Sequence, residues 1–231
     1  MGFMRDSHHV VRTGALRARC LIGACLLAMT CLAAGCTSAQ QQVVTNADRG
    51  PFHGVDMRSR SMALTPADLH AEFHSTAGGR TDLASLQAGH LMLLYFGYTH
   101  CPDVCPTTMA SLAGALRGLS ADDRQSVQVV FMTSDPGRDT PAVMRAWLAN
   151  FDGGLARRFV GLTASPQRID AVARTLHILI APPVRHKNGT VTVDHGAETI
   201  AFRDGQAQVL WSSDTSPSDY AADLQTLGSS S

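Results

Sequence analysis

The chain has 231 residues, 45% of them hydrophobic, with 19 basic and 19 acidic side chains and a formal net charge of +0. That balance says nothing about nucleic acid by itself, but there is no basic stripe and no glycine-rich phosphate cradle, so no nucleic-acid partner is expected. Neither an internal repeat nor a second domain is visible.

The first elements belong to targeting. Arg5, Arg12, Arg17 and Arg19 precede an apolar run from Cys20 to Ala34, shorter than the roughly 20 residues a membrane-crossing helix needs. The pattern predicts a signal peptide over residues 1–35, closed by Leu32-Ala-Ala-Gly-Cys36 in the manner of a lipoprotein signal-peptidase site. Cleavage there leaves Cys36 as a lipid-bearing N-terminus; an ordinary secretory cut nearby is the alternative. Either way the domain is exported, lipid-anchored in the first case to a bacterial membrane and facing the periplasmic or extracytoplasmic side. The leader carries four Arg against one Asp, which leaves the remainder acidic by the same three charges.

Export simplifies the cysteines. Of Cys20, Cys25, Cys31, Cys36, Cys101 and Cys105, only the last two remain as thiols. The chain is long enough for an ordinary hydrophobic core, so this pair reads as reactive rather than as a staple.

Residues 36–51 are rich in Gln, Thr, Ala and Asn and are expected to form a flexible tether. Residues 52–228 then form the domain. Phe52 to Ala63 shows no period, and Leu64 to Phe73 suits an early strand or turn. Ala77-Gly-Gly-Arg80 signals a turn, and Gly89-His90 marks the entry to an apolar strand from Leu91 to Phe96. That strand delivers Cys101-Pro-Asp-Val-Cys105 to a helix with Pro106 at its first position and Met109, Leu112, Ala113 and Leu116 at helical spacing. If both cysteines lie in the first turn they share one face, able to close a disulfide or to present two soft thiolates near a helix N-terminus.

Val127–Thr133 predicts a second buried strand, stopped at Asp135-Pro136-Gly137. Thr140-Pro141 caps a helix with Val143, Met144, Trp147 and Leu148 as its apolar face. Phe159–Leu162 is too short to assign. Ser165-Pro166 caps a helix burying Ile169, Val172, Ala173 and Leu176. The double proline Pro182-Pro183 breaks regular structure, and Asn188-Gly189 signals a tight turn. Glu198–Phe202 and Gln206–Trp211 suit a hairpin. Ser216-Pro217 opens a last helix ending near Leu227, with a disordered tail over 229–231. This order predicts one α/β domain with a central mixed sheet.

Three blocks carry a resemblance. Phe96-Gly-Tyr-Thr-His-Cys-Pro-Asp-Val-Cys-Pro-Thr-Thr108 resembles the signature of the Sco/SenC family, copper-binding proteins that help assemble the dinuclear copper centre of cytochrome c oxidase. Ser134-Asp-Pro-Gly-Arg-Asp-Thr-Pro141 resembles the family's Asp-Pro-x-Arg-Asp-Thr-Pro segment. Val193-Asp-His-Gly196 resembles its Val-Asp-His segment, which carries the third copper ligand. Gly196, where a small hydroxylated residue is frequent, and the proline-rich stretch from Ile178 to Arg185 depart from the pattern.

The resemblance implies a thioredoxin-like fold and a copper site made of Cys101, Cys105 and His195, on a loop where the ring can swing. His100, beside Cys101, is the rival histidine. Thiolates favour Cu(I) and imidazole serves both oxidation states, so either Cu(I) or Cu(II) is expected as cargo. Asp103 and Asp135 are candidates to orient the site from behind its ligands. Implied partners are the copper-bearing oxidase subunit, an exported copper donor and a thiol reductant. A competing reading is an enzyme, a thiol–disulfide reductase acting on cysteines of that subunit or of another exported protein through the same Cys101 and Cys105.

Overall fold

In a computed structural model, which describes residues 45–229, the two continuous apolar runs become neighbouring parallel strands. Along the chain come α1 (Asn46–Arg49), β1 (Val55–Asp56), α2 (Pro66–Leu69), β2 (Phe73–Ser75), β3 (Arg80–Thr81) and α3 (Leu83–Gln87). The central part follows with β4 (Leu91–Gly97), α4 (Val104–Gly118), α5 (Ala121–Gln125), β5 (Val127–Thr133), α6 (Pro141–Asp152), β6 (Val160–Thr163) and α7 (Pro166–Thr175). Two hairpins and a helix complete it: β7 (Val184–Arg185) with β8 (Val191–Thr192), β9 (Thr199–Arg203) with β10 (Gln206–Trp211), and α8 (Pro217–Ser229).

Eight strands form one sheet in the order β1-β10-β9-β4-β5-β6-β2-β3. β4, β5 and β6 run parallel, and β9 closes on β4 antiparallel, which makes the sheet mixed. This is the expected thioredoxin-like α/β architecture. Strand alternation sorts the side chains. Leu93, Tyr95, Val129 and Phe131 face one core with Met109 and Leu112 of α4 and Leu224 of α8. Met92, Leu94, Phe96, Val130 and Met132 face the other with Ile169, Val172 and Ala173 of α7. Because both faces are covered, these strands read as unbroken apolar runs. Each fully buried Leu or Met on α4 contributes about 1.5–3 kcal/mol.

Local chemistry sets the helix starts. Thr140 accepts from the Val143 N–H at 3.3 Å and Ser165 from the Arg168 N–H at 3.3 Å, each followed by a proline in the first helical position. Some expectations shift. The stretch expected as an early strand holds α2, whose cap Thr65 accepts from the Asp68 N–H at 3.2 Å. Val143, expected on an apolar face, is 38% exposed; Met144 and Leu148 do the packing. Ser229 is helical, and the last two residues lie outside the described ones. Of the expected tether, Asn46–Arg49 is a helical turn whose Asp48 pairs with Arg60 at 2.7 Å. Cys36 and the signal segment lie outside the described residues.

One node fastens the start of the domain to its last helix. Asp223 of α8, fully buried, accepts from the backbone N–H groups of His53 and Gly54 at 2.9 and 3.0 Å and from the Trp211 indole at 2.7 Å. The His53 ring adds a contact at 2.9 Å.

Candidate metal centre

β4 ends at Gly97, where the chain turns toward the cysteines and bonds the neighbouring strand end: the Ser134 N–H donates to the Gly97 carbonyl at 2.6 Å. The helix begins at Val104, with Asp103 at its cap, so Pro106 is its third residue rather than its first. Its missing N–H still falls among the unpaired donors of the first turn. Only Cys105 is helical; Cys101 stands just ahead of the helix, and the Cys105 N–H donates to the Cys101 sulfur at 3.4 Å. The helix start thus solvates Cys101 with a backbone donor although the two cysteines do not share a helical turn. Both are free thiols, Cys105 buried and Cys101 half-buried.

The third block arrives from across the sheet. His195 forms an isolated bridge with Ile180, and two bonds flank it: the Ala181 N–H to the Asp194 carbonyl at 2.8 Å and the Gly196 N–H to the Leu179 carbonyl at 2.9 Å. The proline-rich segment that departs from the family pattern is therefore the splint that holds the histidine. The ring packs edge-on against Tyr95 and Tyr98, at 6.1 and 5.9 Å between centroids. Its Nδ1 sits 2.8 Å from the Gly196 carbonyl, which assigns the proton to Nδ1 and leaves Nε2 a free lone pair. The ring is thus held by one hydrogen bond and two aromatic neighbours. Nε2 lies 3.5 Å from the Cys105 sulfur.

The environment separates the two thiols. Cys101 is pulled down to about 3, first by the hydrogen bond from Cys105, against burial, and then by the N–H groups of Asp103 and Cys105. Cys105 is pushed up by the neighbouring Cys101 and by its own burial. The two thiols are thus unlike, Cys101 the more readily ionised and Cys105 the less.

The donor set suits a soft ion. A sulfur and an imidazole nitrogen sharing one metal at roughly 2.3 and 2.0 Å stand roughly 3.5 Å apart at a tetrahedral angle, using zinc bond lengths as the yardstick. The Cys105–His195 pair has that separation already. Among the described residues, no three His, Cys, Asp or Glu side chains form a ready-made cage around one cation position. Cys105 and His195 are thus in contact, with Cys101 beside Cys105, without forming a rigid cup.

The other expected residues divide. Asp103 is exposed and makes no capping bond through its side chain; its carbonyl accepts from the Thr107 hydroxyl at 2.9 Å. Asp135 is buried and pairs with Arg138, whose guanidinium lies 5.8 Å from the Tyr98 ring centre and reaches the Val191 carbonyl at 3.3 Å. Asp135 is thus separated from His195 by Arg138 and Tyr98. The His100 ring bonds Thr99 at 3.0 Å and lies 3.9 Å from Asp139, which turns its Nδ1 to the β5–α6 loop.

Asp139 is a site residue the sequence reading missed. Fully buried, it accepts from the Thr99 N–H at 3.0 Å, the Thr99 hydroxyl at 2.6 Å and the Thr133 hydroxyl at 2.7 Å. It ties the loop carrying Cys101 to the end of β5. Two of its three donors come from Thr99, 40 residues earlier in the chain.

Comparison with known proteins adds a history to this geometry. A family model described as SCO1/SenC matches residues 63–229. The mitochondrial protein SCO2 homolog of Danio rerio is 36% identical over 137 residues, 59% of this chain and 47% of its own. The chain spans about half the length of the curated relatives it matches. The structure of Bradyrhizobium japonicum ScoI with copper bound superposes with a TM-score of 0.58 at 34% identity, covering 67% of this chain and 95% of that one. The apo Sco1 protein from Thermus thermophilus gives 0.60 at 31% identity, covering 76% and 96%.

Proposed function

The chain belongs to the SCO1/SenC family, and from that premise we propose that it is an exported copper carrier, tethered through a lipid on Cys36, that holds one ion with the Cys101 and Cys105 sulfurs and His195 Nε2. The observation that supports this most directly is the 3.5 Å approach of Nε2 to the Cys105 sulfur, with the other ring nitrogen anchored on Gly196. The ScoI relative is described with copper bound, which makes copper the metal to test first. The cargo is Cu(I) or Cu(II), taken from an exported donor and passed to the copper subunit of cytochrome c oxidase for its dinuclear centre.

Each residue has a part. Cys101, half-buried and readily ionised, meets the ion first. Cys105 gives up its proton as the metal arrives. His195 completes the set without rearranging, because its ring is already held. Three ligands from two loops leave the ion less enclosed than a four-ligand structural site, which suits release.

Thiol–disulfide exchange is the second reading, favoured by the asymmetry of the pair: a half-buried, easily ionised Cys101 beside a buried Cys105 is the arrangement of an attacking and a resolving thiol. His195 separates the two. Anaerobic copper titration of the reduced protein is expected to give one equivalent, lost in Cys101→Ala and Cys105→Ala and strongly weakened in His195→Ala. Exchange with a small disulfide, by contrast, would survive His195→Ala. Undiminished copper binding in both cysteine variants would defeat the carrier.

A further inference from the structure

Tyr95 lies on the same face of β4 as the cysteine helix and is fully buried. Its hydroxyl has no hydrogen-bond partner at proper geometry. Such a group is uncommon, since its desolvation goes uncompensated. Two polar groups stand close enough to interact with it, the Cys105 thiol and the Thr108 hydroxyl, neither at hydrogen-bond geometry. Thr108 is turned to its own helix, donating to the Val104 carbonyl at 3.0 Å. Cys105 as a thiol is a weak acceptor. Once its proton is gone, the sulfur is anionic and strongly accepting, and the phenol is the O–H beside it.

The ring cannot turn elsewhere. Tyr95 and the Cys105 sulfur share one wall: a Cβ built on Gly97 would stand 2.7 Å from Tyr95 Cε1 and 3.0 Å from that sulfur. Phe131 and His195 close on the ring at 6.1 Å each. We infer that Tyr95 is a positioning residue of the metal site, idle beside the free thiol and donating its hydroxyl to the Cys105 sulfur when the metal has displaced the thiol proton. This rests on the copper reading above. A hydrogen bond to a ligating sulfur draws density from it, which favours Cu(I) over Cu(II).

Tyr95→Phe tests this, because a role in the metal-bound state and a merely structural one move different quantities. With no metal, the thermal midpoint of the variant should equal or exceed that of the wild type, since an unpaired buried hydroxyl is removed. With copper, binding should weaken about tenfold, as for the loss of a hydrogen bond to a charged group. The thiolate-to-Cu(II) charge-transfer band should move to longer wavelength. A wild type that takes up no copper overturns the function itself. A wild type that binds, matched by the variant in both affinity and spectrum, overturns the role of Tyr95 alone. A variant less stable without metal shows a structural bond and overturns it as well.

Discussion

Replacing Gly97 by alanine probes the wall behind the metal ligands. Gly97 is not among the residues with positive φ, so the backbone accepts a side chain there and the effect is steric. The new methyl would meet Tyr95 Cε1 at 2.7 Å, Phe131 Cε2 at 2.9 Å and the Cys105 sulfur at 3.0 Å. Non-bonded carbons rest at roughly 3.5–4.0 Å, so two buried rings must each retreat by roughly 0.5–1 Å. Neither ring is the loose end of a flexible chain, and such overpacking costs ~2–3 kcal/mol. In a domain of this size each kcal/mol lowers the midpoint by roughly 2–4 °C, which gives a fall of roughly 4–12 °C. Copper affinity should drop with it, because the displaced sulfur is one of the proposed ligands. Thermal and urea denaturation of the reduced protein, with a copper titration alongside, reads both. Gly118→Ala is the control: nothing lies within 4 Å of its added carbon, and the substitution should be neutral or stabilising by about 0.5 kcal/mol. Equal stability of the two alanine variants would refute the argument.

Asp139→Ala strands three donors on Thr99 and Thr133, at about 1–3 kcal/mol for each left unpaired; urea midpoints should fall and copper affinity with them as the Cys101 loop loosens. The His53 pKa is raised, first by its hydrogen bond to Asp223. The stabilisation from that contact is therefore full below the unfolded value of 6.5 and is lost as pH rises through the folded one. Melting wild type and His53→Ala across that range should show a gap that closes at alkaline pH; a gap that widens contradicts the sign. Oxidation of Cys101 and Cys105 to a disulfide removes both thiolate donors at once, so thiol titre and copper uptake should disappear together and return together under mild reductant. Full copper affinity in the oxidised protein would overturn the ligand set.

How much was legible in the sequence follows from the range of the forces involved. Val127–Thr133 is a strand over the span its apolar run marks, because both sides of the sheet are covered. Thr140-Pro141 and Ser165-Pro166 start helices where local capping says they should. The short strands β1, β2 and β3 have two or three residues each, too few for any period to register. The cysteines were visible as a motif, but their helix phase was not: Asp103, with no capping bond, gives no marker for a start at Val104. His195 was placed by its neighbours in sequence, whereas its rigidity comes from Leu179 and Ala181, which only the fold brings beside it. Asp139 was missed for the same reason, since two of its three donors sit 40 residues away on Thr99.

The Asp223 node bears on any attempt to make a shortened, freely soluble version of this protein. One carboxylate receives the backbone of His53 and Gly54, from the front of the domain, and the Trp211 indole, from the strand beside it. Trimming from the front past Gly54 and trimming from the back into α8 are then the same injury, reached from opposite ends: each leaves the other half of the bond set facing a buried hole. A protease that nicks either terminus inside those limits should release the opposite one as well, and the safe cutting line for a shortened form lies ahead of Phe52, whose ring is buried beneath Arg58.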